Sequence, residues 1–142
     1  MKDPEGAGTS ARGPTVLLVS DRWPERALLR AALLEEGLEV IGARDLFEAL
    51  VWLQEEPVRL AIVDLPCRGQ GALPQVRARW PDLPLLLLSG PFAGLSAGGL
   101  EALPGVRVLR RPLPVGSLVR TVREALGLGT AEGEETADGC AP

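Results

Sequence analysis

Five short, almost continuously apolar runs recur along this chain, and segments with helical patterning lie between them. Such runs are typical of parallel strands that are buried on both faces of a sheet. Strands that alternate with helices predict a doubly wound α/β domain, and right-handed crossovers place its helices on both faces. The five strands are expected at about 15–20, 38–42, 58–64, 84–89 and 106–110.

The intervening segments carry recognisable helix boundaries. Pro24 suits the first turn of a helix, Gly37 suits its end, and Asp45 is a plausible N-cap for the next helix. Each interior glycine costs about 1 kcal/mol relative to alanine, so the glycine-rich segment before the fifth strand predicts only a short or weak helix. The helices are expected at about 24–36, after Asp45, within 65–80, weakly within 90–105 and at about 115–126.

The two ends of the chain differ in composition from its middle. Residues 1–14 are rich in Gly and Pro and residues 128–142 are acidic, so both are predicted to be disordered tails around a domain at 15–127. That domain holds equal numbers of acidic residues and arginines, whereas a nucleic-acid-binding protein usually shows a basic excess. The chain has no apolar run of membrane-spanning length, no secretory h-region and few cysteines. We therefore expect a cytoplasmic protein that binds neither nucleic acid nor membrane.

Polar residues follow four of the predicted strands at the point where each strand ends. They are Asp21, Asp64, Ser89 and Arg111. Ligands of open parallel sheets bind beyond the carboxyl ends of the strands, so these side chains are expected to share one crevice. Two carboxylates, a hydroxyl and a guanidinium suit a divalent cation and a phosphoryl group. The sequence contains no histidine, which excludes Ser-His-Asp and Cys-His catalysis and imidazole metal sites.

These residues make the chain resemble a response-regulator receiver (CheY-like) domain of a divergent kind. Receivers carry an acidic pair after the first strand, a phosphoacceptor Asp ending the third, a Thr or Ser ending the fourth and Lys-Pro after the fifth. The corresponding residues here are Ser20-Asp21, Asp64, Ser89 and Arg111-Pro112. The resemblance spans about 15–127 and implies a flavodoxin-like five-stranded sheet in the order 2-1-3-4-5. It also implies a cis peptide bond between Arg111 and Pro112.

The resemblance further implies a role for each site residue. Asp64 would accept the phosphoryl group, and Ser89 and Arg111 would bind its oxygens. Mg²⁺ would be held by Asp21, by Asp64, by the backbone carbonyl of Pro66 and, through a water molecule, by Ser20. Plainer interpretations stay open: Asp64 merely ends a buried strand, Asp21 caps a helix, and Ser89 is a turn residue.

Several positions depart from the receiver pattern, and one of them, Ser20, weakens the implied metal site because it brings no charge. Ser20 replaces one acid, Arg111 replaces the lysine, and Val108 stands where many receivers have an aromatic residue. Arg22 either takes the place of the cation or points to solvent. Arg111 is bulkier than lysine and either binds phosphate or holds Asp64 in the resting state.

Three functions are compatible with the sequence. The first is a single-domain receiver in phosphorelay signalling, which is not an enzyme and takes a phosphoryl group from a sensor histidine kinase or another signalling protein. Its output partner would bind at residues 90–126, and the sequence is also compatible with a homodimer. The second is a pseudo-receiver that docks to a partner without phosphorylation. The third is a small nucleotide- or flavin-binding protein, although SDRWPER after the first strand is a poor phosphate loop.

Overall fold

The computed structural model describes residues 13–90 and 103–128, which form an α/β sandwich around one parallel sheet. The strands are β1 (Thr15–Val19), β2 (Glu39–Ala43), β3 (Val58–Asp64), β4 (Leu85–Ser89) and β5 (Val106–Arg110). Their order in the sheet is β2-β1-β3-β4-β5, and every neighbouring pair is parallel. The predicted flavodoxin-like order is therefore confirmed.

Alternate residues of the central strands point to opposite faces and build two separate cores. One core packs under the second and third helices, and the other packs under the first and last helices. The first core includes Leu17, Val19, Leu46, Leu53, Ala61, Val63, Val76, Leu85 and Leu87. The second includes Val16, Leu18, Leu29, Leu33, Leu60, Ile62, Leu86, Leu88, Leu118 and Val122. Burial on both faces explains why these strands are apolar at nearly every position.

The helices are α1 (Trp23–Glu35), α2 (Leu46–Glu55), α3 (Leu73–Arg79, after a 3₁₀ turn at Gln70–Ala72) and α4 (Val115–Ala125). Asp45 is the N-cap of α2, as predicted, and its side chain accepts a hydrogen bond from the backbone N–H of Glu48 at 2.9 Å. Gly37 ends α1 with a φ of +84°, a conformation that favours glycine. The weak helix predicted within 90–105 falls mostly outside the described residues.

The structure contradicts one alternative drawn from the sequence. The N-cap of α1 is Arg22, which makes no side-chain capping hydrogen bond, so Asp21 does not cap this helix. The helix begins one residue earlier than expected, and its start is instead supported by Pro24 in the first turn. No helix within 13–90 or 103–128 is long and apolar enough to cross a membrane.

A buried arginine fixes the amino-terminal end of the sheet. Arg77 of α3 donates hydrogen bonds to the carbonyls of Trp80, Leu83 and Pro104, and only 6% of the residue is exposed. Burial lowers the pKa of this guanidinium below its ordinary value. These bonds join the turn before β4 to the turn before β5 at Gly105.

Candidate functional site

The site lies at the carboxyl ends of β1, β3 and β4, which are the three central strands of the sheet. Asp64 is the last residue of β3 and pairs in register with Leu88, so Ser89 is one residue further along β4. Ser20 directly follows Val19 of β1, which pairs with the residue before Asp64. Ser20, Asp64 and Ser89 are all buried. The parallel register thus brings the ends of β1, β3 and β4 together, and the buried residue that follows β1 is Ser20, whereas the predicted Asp21 is exposed.

Both oxygens of the Asp64 carboxylate contact other side chains. The hydroxyl of Ser20 donates a hydrogen bond to Oδ2 at 2.8 Å, and the Nη2 atom of Arg111 forms an ion pair with Oδ1. The Nε atom of Arg22 lies 3.7 Å from Oδ2. Only 2% of the Asp64 side chain is exposed, against 15% for Arg111 and 45% for Arg22. The pair with Arg111 is therefore the strong interaction, because exposed ion pairs typically contribute no more than about 1 kcal/mol.

Glu25 joins the two arginines and completes a ring of alternating charges. Its Oε2 atom lies 3.4 Å from Nε of Arg111, and its Oε1 atom lies 3.7 Å from Nη1 of Arg22. Each carboxylate of the ring thus contacts both guanidiniums, so the charges of Asp64, Arg111, Glu25 and Arg22 balance. Glu25 is in the first turn of α1, so the ring ties the phosphoacceptor candidate to that helix.

Three buried donors at the site make no hydrogen bond among the described residues. They are the hydroxyl of Ser89 and the Nη1 and Nη2 atoms of Arg111, of which Nη2 contacts Asp64 only as an ion pair. A buried polar group without a partner costs about 1–3 kcal/mol, and native structures contain few of them. Unmatched donors beside a buried carboxylate would suit an added group that brings acceptor oxygens.

The residues present fit a divalent cation poorly. Mg²⁺ prefers several oxygen ligands in octahedral geometry, but Oδ1 and Oδ2 of Asp64 already contact Arg111, Ser20 and Arg22. Two guanidiniums at the carboxylate also repel a dication. No group of three or more Asp, Glu, Cys or His residues in the described ranges is arranged to hold a metal ion.

The remaining predicted metal ligands, Asp21 and Pro66, are both exposed. The Leu65–Pro66 peptide bond is cis. The Arg111–Pro112 bond is also cis, which confirms that expectation. Cys67 is half-buried, and its pKa is raised to about 11 by burial and by the negative charges of Asp21 and Asp45. Its thiol therefore stays protonated at neutral pH, which suits a structural role better than a reactive one.

The sequence left two alternatives open for each of Arg22 and Arg111, and in the structure both guanidiniums lie toward Asp64. Arg111 contacts Asp64, and Arg22 turns toward the carboxylate even though nearly half of its side chain is exposed. Sequence reasoning missed Glu25 as part of the site. The only available signal was its position three residues after Arg22, a spacing that brings side chains together on a helix.

A cavity of about 390 Å³ lies at the opposite end of the sheet. Its lining includes Pro84, Leu86, Gly105 and Val106, which are at or near the amino ends of β4 and β5. Ligands of open parallel sheets bind at the carboxyl ends instead. This cavity therefore gives no support to the nucleotide- or flavin-binding hypothesis.

Comparison with solved structures identifies the fold. The receiver domain of NtrX from Brucella abortus is 24% identical and has a TM-score of 0.71, over 80% of this chain and 99% of that chain. A CheY-like receiver domain protein from Methanospirillum hungatei JF-1 is 20% identical, with a TM-score of 0.72, over 81% of this chain and 94% of that chain. The chemotaxis response regulator CheY4 of Vibrio cholerae is 24% identical, with a TM-score of 0.71, over 80% and 99%. No family model and no curated protein matches the sequence.

Proposed function

We propose that this chain, which has the fold of CheY-like response-regulator receiver domains, is a cytoplasmic signalling module that accepts a phosphoryl group on Asp64. The supporting observation is a buried carboxylate at the end of β3 with unmatched donors beside it, on Ser89 and Arg111. Phosphoryl transfer depends mainly on positioning and on cationic groups that stabilise the developing charge. Arg111 supplies such a cationic group.

The reaction would begin with release of the Asp64 oxygen that Arg111 contacts. A carboxylate oxygen of Asp64 attacks the phosphorus of a donor, which is a phosphohistidine of a kinase or a small acyl phosphate. The bond between phosphorus and the donor breaks, and the leaving group keeps the electron pair. The new phosphoryl oxygens then accept hydrogen bonds from the Nη atoms of Arg111 and from the hydroxyl of Ser89, which make no hydrogen bond among the described residues.

The exposed face of α1 supports output through protein contact. Trp23, Ala27, Ala31 and Leu34 are all exposed and follow one another at helical spacing, so they form an apolar stripe. Two-thirds of the Trp23 side chain is exposed, directly beside Arg22 of the charged ring. A partner on this stripe would sense the ring through Arg22 and Glu25. The sequence placed the output surface at residues 90–126, and that assignment stays a prediction because 91–102 lie outside the described residues.

A second candidate function is a docking module that works without phosphorylation. It is favoured by the ion pair of Arg111 with Asp64, because a permanently held carboxylate cannot act as a nucleophile. The two candidates differ in one observable, which is whether Arg111 releases Asp64 when a phosphodonor is present.

The deciding experiment measures the intact mass of the protein after incubation with acetyl phosphate, with and without Mg²⁺. We expect one added phosphoryl group on the parent protein and none on Asp64→Asn. The matched control is Asp82→Asn, which removes an exposed carboxylate far from the site and should be modified like the parent. Failure of the parent protein to gain a phosphoryl group under either condition would reject phosphorylation and leave the docking function.

A further inference from the structure

We propose that Arg22 takes the place of the divalent cation at this site, so that Asp64 accepts its phosphoryl group without a metal. The inference rests on the proposed phosphoacceptor function. It names Arg22 as the positive charge that would support phosphoryl transfer in place of a metal ion. It chooses between the two roles that the sequence left open for Arg22.

A hydrogen bond to Ser20 fixes the backbone of Arg22 beside the site. Its N–H donates a hydrogen bond to the hydroxyl of Ser20 at 3.1 Å, and the same hydroxyl donates to Asp64 at 2.8 Å. Ser20 therefore occupies a position where a receiver supplies an acid, and it links Arg22 to the phosphoacceptor candidate. From there the side chain of Arg22 reaches Asp64 on one side and Glu25 on the other.

The charges of the ring favour a phosphoryl group over a metal ion. A dication at the Asp64 carboxylate would lie beside the guanidiniums of Arg22 and Arg111, and like charges at such short range repel strongly. Phosphorylation has the opposite effect, since it replaces a single negative charge by an acyl phosphate with a charge close to −2. Two guanidiniums with planar donors match that dianion, and arginine binds phosphate oxygens with two parallel hydrogen bonds.

The group transfer is balanced without a metal when acetyl phosphate is the donor. A carboxylate oxygen of Asp64 forms a bond to phosphorus, and the bond between phosphorus and the acetyl oxygen breaks. Acetate leaves with the electron pair and needs no proton. Arg22 and Arg111 hold the equatorial phosphoryl oxygens, and Glu25 keeps both guanidiniums close to the site.

The first test is calorimetric titration of the protein with Mg²⁺ alone. The parent protein should bind Mg²⁺ no more tightly than Arg30→Ala, a control that removes an exposed arginine from the same helix. Removing the nearby positive charge in Arg22→Ala should raise the affinity for Mg²⁺ at least about tenfold. Submillimolar binding to the parent protein, or equal affinities for the parent and Arg22→Ala, would overturn the inference.

The second test compares the mass increase with acetyl phosphate in excess EDTA and in Mg²⁺. The parent protein and Arg30→Ala should gain the phosphoryl group equally under both conditions, whereas Arg22→Ala should gain it only with Mg²⁺. If the parent protein needs Mg²⁺, the inference is wrong and the phosphoacceptor function stands. If the parent protein gains nothing under either condition, both are rejected, so the two failures are distinguishable.

Discussion

The ion pair between Arg111 and Asp64 makes a measurable prediction about stability. In Arg111→Met the buried carboxylate loses its strongest partner, while the side-chain volume is largely kept. Removing one partner from a buried ion pair lowers the free energy of unfolding by roughly 3–5 kcal/mol, because the other charge stays buried without a partner. Asp64 keeps the hydroxyl of Ser20 at 2.8 Å and the half-exposed Arg22 at 3.7 Å, so we expect the lower limit, about 3 kcal/mol.

The measurement is the free energy of unfolding in urea, followed by far-ultraviolet circular dichroism. For a domain of this size a loss of about 3 kcal/mol lowers the melting temperature by about 12 °C. Asp64→Asn in the Arg111→Met background removes the unpaired charge and keeps an acceptor for Ser20. The double variant should therefore recover about 2 kcal/mol relative to additive behaviour of the two single variants.

Two results would refute this reasoning. A loss below about 1 kcal/mol in Arg111→Met would mean that the pair behaves like an exposed ion pair. Strict additivity of the two substitutions would mean that Arg111 and Asp64 do not interact in solution, whatever each contributes alone.

Three further predictions concern local features outside the charged ring. Asp45→Ala removes the cap of α2 and should cost about 1 kcal/mol in urea unfolding, whereas Asp45→Asn should cost only a few tenths. Gly105→Ala should cost more than Gly127→Ala in the same assay: both have a positive φ (+72° and +75°), but only at Gly105 would a Cβ lie 2.9 Å from Arg77. Since its pKa is about 11 instead of 9.0, native Cys67 should react with iodoacetamide at pH 8 about 100-fold more slowly than the unfolded chain, and equal rates would contradict the burial. The same shift favours the fold below about pH 9, and this contribution is lost as the pH rises toward 11.

The strands could be predicted because burial on both faces leaves a nearly continuous apolar pattern. Their order in the sheet was implied by the resemblance to receiver domains and not by that pattern. All five predicted strands are present within one residue of their expected ends. The strand ends then determined which polar residues meet, since parallel strands bring their carboxyl ends to one edge of the sheet. The N-cap at Asp45 could also be predicted, because capping depends only on residues that are close in sequence.

The contacts inside the site could not be predicted in the same way. Whether Arg22 turns inward depends on the path of a flexible side chain, and the sequence contains no periodic signal for such a path. Glu25 was missed because an acidic residue in the first turn of a helix is common for reasons unrelated to a site. Arg77 was also missed, because the carbonyls that bury it come from two turns that are distant in sequence.

The two ends of the sheet are held by different forces, and ionic strength should tell them apart. At the amino ends, Arg77 binds uncharged carbonyls in a buried setting that added salt hardly reaches. At the carboxyl ends, the ring of Asp64, Arg111, Glu25 and Arg22 depends on opposite charges, two of which are substantially exposed. Salt screens exposed charges over about 8–10 Å. Raising the ionic strength should therefore weaken the attachment of the first turn of α1 to the carboxyl ends of the strands, while the turns that Arg77 holds stay in place.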